Sequence, residues 1–101
     1  MRHAVVRYKV KPERVDENQA LIAAVFEELA ARDPGGIRYA SLRLADGVSF
    51  VHLVGFETDD GSNPLAEIAA FSEFTRDIAE RCDEPPFSQD ATVVGSYRFF
   101  E

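Results

Sequence analysis

Residues 37–45 (IRYASLRLA) and 48–57 (VSFVHLVGFE) are two β-rich runs separated only by Asp46-Gly47. An Asp-Gly pair in that setting predicts a two-residue type I′ hairpin, because both central residues must take positive φ. No other feature constrains the chain as strongly. It commits the middle of the molecule to an antiparallel strand pair, and the segments on either side have to pack around that pair.

Those flanking segments change period in a regular order. His3 to Val10 (HAVVRYKV) is short, β-rich and closed by Lys11-Pro12, which predicts a strand. From Pro12 to about Arg32 the apolar positions Ile22, Val25, Phe26 and Leu29 recur at helical spacing, placing Glu27, Glu28 and Arg32 on the wet side. Pro12 suits a first helical turn, and Asp16 with Gln19 resembles a capping box. Asp33-Pro34-Gly35-Gly36 stops that helix.

After the hairpin, the polar loop Thr58–Asn63 leads into Asn63-Pro64, a cap and first-turn proline for a second helix running to about Asp83. Its inner stripe is Ile68, Phe71, Thr75, Ile78 and Cys82, and Glu84-Pro85-Pro86 ends it. Ala91 to Phe100 (ATVVGSYRFF) then predicts the last strand. The order is β-α-β-β-α-β. Right-handed crossovers favour an α+β, ferredoxin-like antiparallel sheet with both helices on one face and the first and third strands central.

With 101 residues and no repeats or linkers, residues 1–101 are expected to form one domain. No apolar run approaches the roughly 20 residues that span a bilayer. The start, MRHAVVRYKVK, has too short an apolar segment for a secretory signal, so a cytoplasmic location is expected. The net charge of −7 argues against nucleic-acid and anionic-membrane partners. The RNA-recognition fold shares this strand order, but Gly47-Val-Ser-Phe-Val-His-Leu53 matches its third-strand signature only at Gly47, Phe50 and Val51. Cys82 is the single cysteine and reads as a small buried hydrophobe. His3 and His52 lack an Asp or Glu at ligand spacing in the strands, so no metal is expected. Asp33-Pro34-Gly35-Gly36 follows a helix rather than preceding one, the reverse of a phosphate cradle.

Alternation along the strands sorts residues onto two faces. Ala4, Val6, Tyr8, Val10, Ala40, Leu42, Leu44, Val51, Leu53, Val93 and Gly95 suit packing beneath the helices. Val5, Arg7, Lys9, Tyr39, Ser41, Arg43, Phe50, His52, Val54, Phe56, Val94, Ser96 and Arg98 make a second face with no helix left to cover it. That set is too apolar to stay bare, so a homodimer with the two sheets face to face is expected. Arg7, Arg43, Arg98 and His52 around a semi-enclosed cavity would favour a small aromatic or anionic guest. Alternatively these arginines pair with carboxylates across the interface or run to solvent along their stems.

Four features in order, VVRYKVKPE (5–13), Pro34-Gly35-Gly36, Gly55-Phe56-Glu57 and NPLAEIAAFSEF (63–74), resemble the antibiotic-biosynthesis-monooxygenase-like family of dimeric α+β barrels across nearly the whole chain. The resemblance implies a homodimer with one internal cavity per subunit. It also implies cofactor-independent monooxygenase chemistry on phenolic or quinol-type compounds, or haem degradation, as in several members. This chain has no Trp; Phe56 stands where many relatives carry an aromatic, often Trp, and Ile68 where many carry a histidine. Under the cofactor-free reading, no cofactor is needed. His52 is the candidate base, Arg43 and Tyr39 stabilise the substrate anion, and Arg7, Phe50, Phe56 and Arg98 bind it. The competing readings are a structural histidine bonded to a neighbouring strand or to the partner chain, and a non-catalytic dimer that binds a small ligand or serves another enzyme.

Overall fold

The computed structural model describes residues 1–99. Its strands are β1 (Arg2–Val10), β2 (Ile37–Arg43), β3 (Ser49–Phe56) and β4 (Cys82–Ala91). Its helices are α1 (Val15–Arg32), α2 (Ala69–Thr75) and α3 (Ile78–Arg81), with 3-10 turns at Pro12–Arg14 and Pro64–Glu67. The sheet is wholly antiparallel in the order β2-β3-β1-β4, so β1 and β3 are central in a ferredoxin-like βαββαβ arrangement.

The β2–β3 hairpin forms, with a different turn from the one its sequence predicts. Asp46 keeps a negative φ and only Gly47 is left-handed, at φ +79°. Leu44 and Ser49 close a four-residue loop, with the Gly47 amide donating to the Leu44 carbonyl at 3.0 Å. The Asp46 carboxylate explains the choice. It accepts from the amides of Val48 (3.0 Å) and Ser49 (2.8 Å) and from the Ser49 hydroxyl (2.6 Å). An aspartate that satisfies its own loop amides stabilises the longer turn. The same bonds hold the Asp46 carboxyl at about 2.

The Asp16–Gln19 capping box does not form: α1 begins at Val15 with no side-chain cap. The region expected as one helix from Asn63 to Asp83 is broken into three pieces. Asn63 does cap the first, accepting from the Leu65 amide at 3.0 Å. Ile68 is then extended, and α2 starts under the carboxylate of Glu28, which accepts from the amides of Ala69 (3.2 Å) and Ala70 (2.9 Å). Glu28, read from the sequence as a wet-face residue, therefore ties α1 to α2 across 41 positions. Arg76 is extended and Asp77 left-handed between α2 and α3. With the stripe interrupted, Phe74 takes the buried position and Thr75 stays exposed.

The final strand also lies elsewhere. The sequence pattern places it at Ala91–Phe100, whereas β4 occupies Cys82–Ala91, and Thr92–Phe99 follows as a strand-free tail. Phe100, the predicted end, lies outside the described residues. Pro85-Pro86 reads as a breaker, yet β4 is an edge strand, and the β1–β4 register shifts between Arg7 and Lys9 and again at Val10. Prolines are tolerated at such edges and bulges, where no ladder amide is required. Cys82 heads this strand instead of ending a helix, buried opposite Val10.

Register corrects the face assignment. Tyr8 pairs with Phe50, Val6 with His52 and Ala4 with Val54; Tyr39 pairs with Val54 and Ser41 with His52. Directly paired residues share a face. The β1 set was placed correctly, while those of β2 and β3 are exchanged. Tyr39, Ser41, Phe50, His52, Val54 and Phe56 lie under the helices, and Ala40, Leu42, Val51 and Leu53 join Val5, Arg7 and Lys9 on the uncovered side. Alternation settles β1, whose outer parity is His3, Val5, Arg7 and Lys9, but leaves β2 and β3 open, because both carry apolar residues at both parities. The core, built on Tyr8, Val10, Val25, Phe50 and Phe74 with Val54, Phe56, Leu65 and Ile68 beside it, lies between sheet and helices. Among the described residues no helix is long and apolar enough to cross a membrane.

Candidate functional site

A cavity of about 390 Å³ opens between the inner face of the sheet and the α2–α3 region. It lies within a single chain, on the helix side, rather than on the uncovered sheet face where the sequence reading placed it. Its walls are mostly apolar: Ala4, Val6, Val54, Phe56, Leu65, Phe71, Phe74 and Ile78. Tyr8, Tyr39 and His52 on adjacent strands form one polar cluster in the wall, and Arg2, Asn63, Thr75, Pro86, Ser88 and Asp90 complete the lining.

His52 is 3% exposed at the centre of β3. Both ring nitrogens are engaged. The Tyr8 hydroxyl is 2.7 Å from Nε2, and the hydroxyls of Tyr39 and Ser41 are each 2.8 Å from Nδ1. These contacts follow from register: Ser41 is the cross-strand partner of His52, while Tyr8 and Tyr39 sit at diagonal positions on the same face. The Tyr8 and Tyr39 rings stack on His52 as well, with centroids 5.3 and 5.7 Å away, and the Phe74 ring lies tilted at 5.4 Å.

Behind Tyr8 the network continues. Asn18 of α1, with no exposed surface, donates from Nδ2 to the Tyr8 oxygen at 3.0 Å. Arg81, at the end of α3 and 2% exposed, reaches the Asn18 Oδ1 from Nε at 3.4 Å. Its other nitrogens donate to the carbonyls of Arg76 and Phe74 at the C-terminal end of α2. Among the described residues no carboxylate oxygen lies within 4 Å of this buried cation. The helix-end carbonyls and the Asn18 amide oxygen supply its compensation.

Burial governs the protonation of the cluster. His52 is pushed down from 6.5 to about 4, so the ring is neutral at neutral pH. Burial pushes Tyr39 up to about 12 and Tyr8 further still, which keeps both as hydroxyls. The cluster can exchange a proton with a guest but carries no charge of its own.

The structure brings together three of the sequence-derived candidates, His52, Tyr39 and Phe56. Phe50 is buried behind them, stacked on Tyr8 at 5.5 Å. The three arginines are elsewhere. Arg7 is exposed on the opposite face of the sheet, beside Val51 and Phe87. Arg43 is exposed at the end of β2 and does not line the cavity. Arg98 is in the tail, left-handed, with its guanidinium 5.3 Å from the Tyr97 ring. The cavity takes its cation from Arg2, whose guanidinium carbon is 4.4 Å from the Phe56 centroid. The sequence reading missed Arg2, Tyr8, Asn18 and Arg81. Tyr8 was visible as the one polar-tipped residue in the β1 core set. Asn18 and Arg81 lie on the register of amphipathic helices, where nothing local separates a buried polar residue from a solvated one.

No protein-family model matches the chain, and no curated protein matches it. Solved structures do match in fold. A Nitrosomonas europaea protein provisionally described as an antibiotic biosynthesis monooxygenase superimposes with a TM-score of 0.74 at 20% identity, covering 94% of this chain and all of that one. Rv0793 from Mycobacterium tuberculosis gives 0.69 at 17% identity over 94% of this chain and 96% of its own. A mutant of SnoaB, described as a cofactor-independent oxygenase from Streptomyces nogalater, gives 0.68 at 18% identity over 97% of each chain. The chain shares the fold of the antibiotic-biosynthesis-monooxygenase-like structures over nearly its whole length.

Proposed function

We propose that the chain is a cofactor-independent monooxygenase for a small, electron-rich dihydroxyaromatic or quinol-type compound, bound in the cavity beneath α2 and α3. The observation that carries this reading is the cavity itself. A mainly aromatic and aliphatic chamber of about 390 Å³ meets a hydrogen-bonded cluster, His52 between two tyrosines, at one wall. The size and lining suit a planar apolar guest with few polar groups.

The chemistry is proton removal followed by oxygen addition. A guest O–H or activated C–H gives its proton to the Tyr8–His52–Tyr39 cluster, leaving an electron-rich anion. That anion reduces dioxygen and forms a carbon–oxygen bond. The cluster returns the proton to the peroxide anion, and loss of water from the resulting hydroperoxide leaves a carbonyl, so one oxygen atom enters the product and the other departs as water, with all four electrons supplied by the guest. Burial makes His52 a weak base in the empty cavity, and an anion formed beside the imidazolium offsets that.

A homodimer, in a cytoplasmic setting, belongs to the same reading. The uncovered side of the sheet presents Val5, Ala40, Leu42, Val51 and Leu53 in a half-buried state, with Phe87 62% exposed beside them. A patch of that kind fits a second copy of the chain. Sedimentation at micromolar concentration should give twice the monomer mass, and a purely monomeric species would remove the dimer from the proposal.

A second reading has its own support. Both His52 nitrogens are already hydrogen-bonded, as in a purely structural histidine, which favours a module that binds an aromatic ligand without turning it over. Oxygen uptake separates the two. Purified protein with a hydroquinone or anthrone-type compound should consume oxygen and release the oxygenated product, more slowly in His52→Gln. Saturable binding with no uptake would leave the ligand-binding reading in place.

A further inference from the structure

We infer that Arg81 and Asn18 are positioning residues that place the proton of neutral His52 on Nδ1, by compelling the Tyr8 hydroxyl to donate to Nε2. Hydrogen-bond direction is fixed along four buried groups, Arg81, Asn18, Tyr8 and His52. A guanidinium has donors and no acceptor, so the Asn18 atom facing Arg81 Nε must be Oδ1. The asparagine cannot flip without setting a donor against a donor. Its Nδ2 then faces the Tyr8 oxygen and donates to it. The Tyr8 oxygen is thereby an acceptor on that side, and its own proton is left to point at His52 Nε2, 2.7 Å away. A nitrogen that accepts carries no proton, and in a neutral ring the hydrogen must sit on Nδ1. There it faces the oxygens of Ser41 and Tyr39, both of which can accept.

The opposite tautomer would break the chain. With a proton on Nε2, the Tyr8 oxygen would receive hydrogen bonds from both His52 and Asn18. The Tyr8 proton would then have no protein acceptor among the hydrogen bonds of the described residues. Arg81 explains why a cation is buried here at all. It anchors one end of a polarised row and gives that row a single sense.

The inference stands whether the cavity hosts a reaction or only a ligand. For a reaction it sets the route of the proton. A guest hydroxyl that meets the Tyr8 oxygen gives up its proton there while Tyr8 passes its own to Nε2. The result is a guest anion, an unchanged tyrosine and an imidazolium, with no proton gained or lost overall.

The test is the tautomer itself, read on the full chain by two-bond proton–nitrogen correlation of histidine-labelled protein. The chain has two histidines, and a His3→Gln reference assigns the signals. Wild type should show Nδ1 protonated and Nε2 bare. Asn18→Asp should reverse the row: one carboxylate oxygen takes Arg81, the other accepts the Tyr8 proton, and His52 shifts to the Nε2-protonated form. Arg81→Met, which frees Asn18 to flip, should turn a single tautomer into a mixture, and serves if Asn18→Asp does not fold. Wild type with Nε2 protonated would overturn the inference, as would an unchanged tautomer in either variant. A residue that merely filled space would alter stability and leave these signals where they are.

Discussion

Phe74→Ala is expected to lower the unfolding free energy by about 3–5 kcal/mol, the range for deleting a buried phenylalanine ring. The ring is 4% exposed and touches the polar cluster and the core at once. Its centroid lies 5.4 Å from His52, 6.2 Å from Phe71 and 6.3 Å from Tyr8, and the Arg81 guanidinium carbon is 5.6 Å from it. Truncation removes all four contacts and merges the vacated space with the existing cavity, whose walls are held by a sheet and cannot collapse to fill it. A domain of this size has a total stability on the order of 5–15 kcal/mol, so the variant is expected near the edge of folding. Urea unfolding measures the loss. Phe74→Leu, which keeps most of the apolar volume, should recover more than half of it. A loss below about 1 kcal/mol for the alanine variant would mean that the ring is not seated in the core.

Acidification is expected to remove on the order of 3 kcal/mol through His52 alone. Its ordinary value is 6.5, and burial holds it at about 4 in the folded chain. As pH falls through 6.5 the unfolded chain takes up a proton that the folded chain refuses. The contribution is therefore whole above about pH 6.5 and declines until the folded ring also protonates near pH 4. At about 1.4 kcal/mol per pKa unit, the gap sets the size of the loss. The carboxyl groups held low by hydrogen bonds, Asp46, Glu17, Glu28 and Asp60, begin from ordinary values of 3.8 or 4.5. Their stabilisation is lost at lower pH, which leaves the interval from about pH 6.5 to 4.5 to histidine. Urea unfolding across that interval should slope steeply for wild type and flatten in His52→Gln. Equal slopes would show that the His52 proton affinity is the same folded and unfolded.

Much of the frame was legible in the residues. Pro12, the 33–36 breaker and Asn63-Pro64 punctuate the chain at the right places, because their backbone preferences act locally. His52 could be picked out as a strand histidine, and Tyr39 and Phe56 share its parity. The hairpin was legible while its turn was not, since the Asp46 side chain competes with the dipeptide rule through bonds to residues 48 and 49. The broken second helix was illegible for a different reason. Its α2 start is capped by Glu28, a residue from another helix, and no local pattern encodes a partner 41 positions away.

Local periodicity and turn chemistry, then, determined the number and order of β1, β2 and β3 and the antiparallel β2–β3 hairpin, because each depends on a few adjacent residues, and the right-handed crossover rule set β1 beside β3. Tertiary structure alone decided which side of the sheet the helices cover, where β4 runs, and that Arg81 and Asn18 stand behind Tyr8. A strand that is apolar at both parities has two acceptable insides. Only the pairing of Val6 with His52 and the packing of α1 and α2 over that row choose between them.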